Sequence, residues 1–145
     1  MQLKDIMTTQ VEIITPDATV EAAAKKMDDT DVGALPVCDN DRLVGIITDR
    51  DIVVRSISVG QDPKQTFVRD VMTTSSIIYA FEDDQVEGAA ELMEKKQVRR
   101  LPIMNRKKRM VGMVSLGDLA VHVKDQKLAG EVIEKVSEPS HKQAA

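Results

Sequence analysis

Apolar and polar positions alternate along the chain with two periods, one of two residues and one near 3.6, and together they predict the same series of elements twice. Val11-Glu12-Ile13-Ile14 reads as a short strand, and Thr15-Pro16-Asp17 as the turn that closes it. Val20, Ala23, Ala24 and Met27 then fall at helical spacing, with Glu21, Lys25 and Lys26 elsewhere on the wheel. Residues 34–38 form a second strand, whose Pro36 favours a strand start or a sheet edge. Asp39-Asn40-Asp41 is turn chemistry for a hairpin into a strand over 43–47, and a helix over 49–58 closes the series. The second series has a strand around 77–79, a helix over 86–95, strands over 101–104 and 110–114, and a helix over 116–123. Each series is therefore β-α-β-β-α, which predicts an α/β (α+β) fold of small sheets covered by helices.

The residues themselves repeat. Asp5-Ile6-Met7-Thr8-Thr9 returns as Asp70-Val71-Met72-Thr73-Thr74, and Leu35-Pro36-Val37 as Leu101-Pro102-Ile103. Val44-Gly45-Ile46-Ile47-Thr48 returns as Val111-Gly112-Met113-Val114-Ser115. The offset grows from 65 between Asp5 and Asp70 to 66 between Val20 and Val86 and 67 between Gly45 and Gly112, so single insertions fall only between elements. A period this long is one folded unit duplicated, and two such units are expected to pack about a pseudo-two-fold axis with two similar clefts. The expected division is 1–62 and 66–125 for the repeats, with a C-terminal extension over 126–145. Within that extension, 127–136 is a candidate helix and the Ser-Glu-Pro-Ser tail is expected to be disordered.

Composition narrows the function. The core must be aliphatic, because Phe67, Tyr79 and Phe81 are the only aromatic residues. That scarcity removes the stacking platforms of single-strand binders, and a net charge of −4 offers no field for nucleic acid or anionic lipid. Cys38 is alone, which excludes an internal disulfide and suits a reducing compartment; its apolar neighbours predict a buried strand position. His122 and His141 lack partners at ligand spacing, so no metal site is inferred. With no apolar run of membrane-span length and no signal-peptide pattern, a cytoplasmic protein is expected.

The sharpest chemistry lies in Thr48-Asp49-Arg50-Asp51 and its counterpart Ser115-Leu116-Gly117-Asp118. Each places a hydroxyl at a strand end and an aspartate three residues on, at the mouth of a helix. Helix capping accounts for that spacing. So does nucleotide binding, since free amides and a hydroxyl at a helix start attract phosphate while an aspartate there grips a ribose diol. Met7 and Met72, ahead of the repeated threonines, read as packing residues.

The duplication, the Gly-aliphatic-aliphatic-(Thr/Ser)-x-x-Asp ending and the Leu-Pro-(Val/Ile) strand resemble a tandem pair of CBS domains, the Bateman module, over about residues 3–125. The resemblance implies adenosine-containing ligands such as AMP, ADP, ATP, NAD or S-adenosylmethionine, held in clefts between the repeats. It implies that Asp51 and Thr48 serve one cleft and Asp118 and Ser115 the other, the aspartates on the ribose. Arg99 and Arg100, ahead of Leu101, are either solvated or, as the resemblance implies, cleft-lining and suited to phosphate. Arg50 either offsets Asp49 and Asp51 or reaches a phosphate. Thr8, Thr15, Gly33, Ala34, Ile46 and Met113 complete the implied nucleotide-binding set. The basic run Arg106-Lys107-Lys108-Arg109 is read as a solvated turn.

No catalytic constellation appears: there is no histidine beside a candidate nucleophile and no phosphate-binding glycine loop. The leading expectation is a stand-alone regulatory sensor of adenine nucleotides that signals through an unknown partner protein. An interaction scaffold with vestigial clefts and, from the enzyme class, a small nucleotide hydrolase are the alternatives. The helix 52–57 is apolar over more than one face and 119–123 nearly so, which predicts a two-fold homodimer, a state the resemblance also implies, unless the N-terminal segment and 127–136 cover these aliphatics.

Overall fold

The computed structural model describes residues 1–122 and 126–137. Its elements are α1 (Val20–Thr30), β1 (Ala34–Asp39), β2 (Arg42–Thr48), α2 (Asp49–Ile52), α3 (Val68–Val71), β3 (Ala80–Phe81), α4 (Val86–Lys96), β4 (Arg100–Met104), β5 (Met110–Ser115), α5 (Leu116–His122) and α6 (Gln126–Ser137). A 3-10 turn at Leu3–Asp5 precedes them, and a π-helical turn at Val53–Ile57 continues α2. The mixed α/β class is the expected one, and α6 occupies the candidate C-terminal helix. The expected end of α5 at 123 and the tail beyond 137 lie outside the described residues.

The chain forms two compact units. The first-copy unit comprises Val11–Ile77 with Lys108–Met110; the second-copy unit comprises Met1–Gln10, Ile78–Lys107 and the chain from Val111 on.

In the first-copy unit β1 and β2 form an antiparallel hairpin, paired from Ala34 opposite Thr48 to Val37 opposite Gly45 and, past a bulge at Val44, from Cys38 opposite Leu43 to Asp39 opposite Arg42. Asn40 and Asp41 turn it with φ of 50° and 66°, the positive pair that a tight two-residue hairpin needs and that Asn and Asp tolerate. Thr19 caps α1, its Oγ1 accepting the Ala22 N–H at 3.1 Å. Val20, Ala23 and Met27 then bury against Leu35, Val37 and Ile47, while Ala24, expected on the same face, is exposed. Val68 and Val71 of α3 complete this core. They are held there by the Val20 amide on the Thr66 carbonyl (2.9 Å) and the Val68 amide on the Ala18 carbonyl (2.8 Å).

The second-copy unit repeats the plan with the segment that opens the chain. Leu3 and Ile6 are buried among Val86, Met93, Leu101 and Val114, with the Leu3 amide on the Asp84 carbonyl (3.0 Å) and the Val86 amide on the Met1 carbonyl (3.0 Å). The leading segment of each sequence copy thus closes the core of the other copy. Its sheet has the order β3-β4-β5. Here α6 packs on α4 and α5, and Ala90, the counterpart of Ala24, is buried.

Three expected elements differ in extent, and two of them for one reason. The strand expected over 11–14 is a single parallel bridge of Ile14 to Val37, and the strand expected around 77–79 begins only at Ala80, beside Ile103. Extending either ladder backwards needs an N–H from Pro36 or Pro102, and proline has none. The repeated Leu-Pro therefore stops both parallel ladders at the same place. The third is the helix over 49–58, which widens after Ile52, with the Ser58 amide donating to the Val53 carbonyl five residues back at 2.8 Å.

Arg106, Lys107 and Lys108 of the basic run lie exposed in a turn, and Arg106 is anchored within it. Arg106 pairs with Asp83 at 2.9 Å and lies over the Phe81 ring at 4.1 Å, and this pairing holds the Asp83 carboxyl below its ordinary range.

Candidate functional site

In the first-copy unit Thr48 leaves β2 extended and α2 begins at the next residue. Thr48 Oγ1 accepts the Asp51 N–H at 3.0 Å, and Asp51 Oδ2 accepts the Thr48 N–H at 3.0 Å, a reciprocal capping box. The Asp49 N–H donates to the Gly33 carbonyl (3.0 Å) and the Arg50 N–H to Asp49 Oδ1 (2.8 Å). All three opening amides are therefore engaged, which corrects the expectation of free amides for a phosphate here. Asp51 is only 9% exposed. Its carboxylate is met from two further directions: the Thr73 hydroxyl lies 3.4 Å from both oxygens, and Arg55 Nε lies 3.8 Å from Oδ1. The Arg55 guanidinium also donates to the carbonyls of Val71 (3.4 Å) and Met72 (3.3 Å).

The second-copy unit builds the same cap. Ser115 Oγ accepts the Asp118 N–H at 3.0 Å, Asp118 Oδ2 accepts the Ser115 N–H at 2.9 Å, and the Leu116 N–H donates to the Arg99 carbonyl at 2.8 Å. That last bond matches Asp49 to Gly33, so Arg99 and Arg100 take the places of Gly33 and Ala34. Both arginines are exposed at the mouth of α5, and Asp118 is half-buried. Among the described residues, Asp118 Oδ1 has no hydrogen-bond partner.

A second shared device fixes each strand edge. Ile46 exchanges both backbone hydrogen bonds with Thr73 (2.9 and 2.8 Å), and Met113 exchanges both with Thr8 (2.9 Å each). The neighbouring glycines permit the approach: a Cβ on Gly45 would stand 3.0 Å from the Thr73 carbonyl oxygen, and one on Gly112 would stand 2.9 Å from that of Thr8.

The structure thus joins Thr48, Asp51, Gly33 and Ile46 through their hydrogen bonds and immediate neighbours in one unit. It joins Ser115, Asp118, Arg99, Arg100, Met113 and Thr8 in the other. Ala34 opens β1 directly after Gly33. Thr15 stands apart, at the turn ahead of α1, where its carbonyl accepts the Ala18 N–H. The Arg50 side chain is exposed and forms no ion pair with Asp49 or Asp51 among the described residues. Two residues were missed by sequence reasoning: Thr73, the repeat counterpart of Thr8, and Arg55, one helical turn beyond Asp51. The duplication alone pointed to the first and the i,i+4 spacing to the second.

Among the described residues no group of three or more His, Cys, Asp or Glu is placed to hold a metal ion, and no helix is long and apolar enough to cross a membrane.

Residues 3–57 and 68–125 each match the CBS domain. The chain is 41% identical over 135 residues to the CBS domain-containing protein YhcV of Bacillus subtilis, covering 93% of this chain and 94% of that one. Among solved structures it is similar to Hypoxic Response Protein I of Mycobacterium tuberculosis with two coordinated zinc ions, at 35% identity and TM-score 0.75 over 85% of this chain and 99% of that chain. It is also similar to CBSX2 of Arabidopsis thaliana in complex with AMP, at 26% identity and TM-score 0.70 over 83% and 93% of the two chains.

Proposed function

The chain belongs to the CBS-domain family, with two copies of the domain, and we propose that it is a regulatory module that binds an adenosine-containing ligand and reports its presence to a partner protein in the cytoplasm. The observation that carries this reading is the Ser115–Asp118 cap. The Ser115 amide fixes one carboxylate oxygen of Asp118 and, among the described residues, leaves the other without a partner, beside two exposed arginines. A capped carboxylate is held in one orientation, and its remaining oxygen is an acceptor for ribose hydroxyls. Arg99 and Arg100 supply charge-assisted hydrogen bonds to a phosphate. The AMP complex of CBSX2 supports the choice of ligand class. The set fits binding rather than turnover, since it offers no nucleophile with an adjacent base. Ligand would shift the chain between conformations by no more than its differential affinity for them.

Self-association belongs to the same reading. Val53, Val54, Ile57 and Val59 are 45–64% exposed along the π-helical turn and just beyond it, a run of aliphatic surface suited to meeting itself in a two-fold homodimer.

Calorimetry with adenosine, AMP, ADP, ATP, NAD and S-adenosylmethionine, each also assayed for turnover, tests the proposal. Binding without turnover that weakens in Asp118→Asn is the expected result. A chain that binds none of the six, or binds all of them unchanged in Asp118→Asn and Asp51→Asn together, refutes it.

A further inference from the structure

The two aspartates are repeat counterparts, yet among the described residues only Asp51 is engaged beyond its own cap. Asp51 faces the Thr73 hydroxyl and the Arg55 guanidinium as well as the Thr48 amide. The repeat places Thr8 where Thr73 stands and His122 where Arg55 stands, and neither bonds to Asp118 among the described residues. Arg55 belongs to the π-helical turn Val53–Ile57, the kind of local widening that recurs at functional sites. It reaches Asp51 on one side and the carbonyls of Val71 and Met72 on the other. An exposed Arg–Asp pair alone contributes little, but here the same guanidinium joins the carboxylate to the end of α3.

We propose that Arg55 and Thr73 form a latch that masks the Asp51 carboxylate, so that the chain offers an open ligand site at Asp118 and a closed one at Asp51. This rests on the adenosine-binding reading above. A ligand diol can reach Asp51 only by displacing Thr73 and Arg55, which frees residues 71–73 from the carboxylate. The apparent affinity at Asp51 is then lowered by the fraction of molecules with the latch open.

AMP and ATP, titrated separately by calorimetry, test the latch on four chains: the parent, Asp118→Asn, Asp118→Asn with Arg55→Ala, and Asp118→Asn with Thr73→Val. The parent should show one site per chain, and Asp118→Asn should weaken it about tenfold or more, equivalent to about 1.4 kcal/mol. Adding Arg55→Ala or Thr73→Val should restore binding by about tenfold over Asp118→Asn alone, a gain that Asp51→Asn abolishes. Thr73→Val keeps the side-chain volume, and thermal melting of each chain identifies any that fails to fold. Undiminished binding in Asp118→Asn, or no gain on opening the latch in a folded variant, overturns the latch while leaving adenosine binding standing. The absence of any binding to the folded parent overturns the underlying reading and the latch with it.

Discussion

Gly112 and Met7 meet so closely that a β-carbon on the glycine would stand 2.7 Å from the methionine sulfur, with the Thr8 carbonyl oxygen at 2.9 Å. Gly45 and Met72 repeat the contact at 2.6 Å. In each unit the strand that leads into the capped aspartate's helix is thereby clasped by a segment distant in sequence, and the clasp ends on the threonine that neighbours the aspartate in the first copy. The glycine of the repeated Gly-aliphatic-aliphatic motif is thus a packing requirement first.

Gly112→Ala and Gly45→Ala should each destabilise the fold by about 1–3 kcal/mol, the usual range for overpacking. Met7→Ala should rescue Gly112→Ala only in part, because the Thr8 backbone oxygen remains in the way. Urea denaturation of the two single variants and the double variant measures this. Full rescue would place the whole clash on the methionine side chain.

Ser56 Oγ is buried and has no hydrogen-bond partner among the described residues. Removing an unpaired buried hydroxyl is neutral or favourable, because the group is desolvated without compensation. Ser56→Ala should therefore leave stability unchanged or raise it by up to about 1 kcal/mol. Thr66→Val is the contrast: its hydroxyl donates to the Asp62 carbonyl at 2.8 Å, and losing that bond should cost about 0.5–1.5 kcal/mol. A clear loss in Ser56→Ala would show that its hydroxyl is satisfied in solution.

Burial and, after it, the Asp41 carboxylate push the Cys38 thiol from 9.0 up to about 11. The folded state therefore favours the neutral thiol more than the unfolded state does. The resulting stabilisation is full below pH 9.0 and lost as the pH rises through about 11. Across that window the parent should lose stability relative to Cys38→Ala. At pH 8 the native thiol should react with a disulfide reagent at least about tenfold more slowly than the unfolded one, because less of it is thiolate and it is buried. Equal rates would contradict the buried strand position.

Arg100→Ala, and to a lesser degree Arg99→Ala, should weaken AMP and ATP by about ten- to a hundredfold while leaving adenosine nearly unchanged, as expected for charge-assisted bonds to phosphate worth about 1.5–3 kcal/mol. Parallel losses for adenosine and its phosphates would assign these arginines a structural role.

Much of this was legible because the chain states it twice. Val20 and Met27 marked the core face of the first long helix, and the hydroxyl–aspartate spacing marked both caps. Proline was legible as an edge signal at Pro36, but its consequence depended on which strand lay beside it, so the shortened neighbours at Ile14 and Ala80 were not. The π-helical turn was hidden because one additional residue in a turn hardly disturbs an aliphatic run such as Ile52-Val53-Val54. The pairing of Thr73 with Ile46 and of Thr8 with Met113 was hidden by the symmetry itself. Similar leading segments give the same local pattern whichever copy they join, and only the folded backbone shows that Leu3 and Ile6 close the second core while Val68 and Val71 close the first.

The exposed aliphatics of the π-helical turn make the last prediction. Val53, Val54 and Ile57 stand on consecutive turns with Val59 just beyond, all at least 45% exposed, whereas Ile52 and Ser56 face the core. One side of this segment is thus already satisfied, and the other leaves apolar surface that water disfavours by about 25 cal/mol per Å². A second copy presenting the same residues across a two-fold axis covers both patches at once. Light scattering at tens of micromolar should therefore report a dimer for the parent. Val54→Asp and Ile57→Asp should each shift it to monomer, because the new carboxylate would be buried unpaired at the interface, while the fold survives because both positions face away from the core. A monomeric parent, with or without AMP, refutes the dimer. A dimer that persists in both variants moves the interface elsewhere, with exposed Val121 on α5 the next position to test.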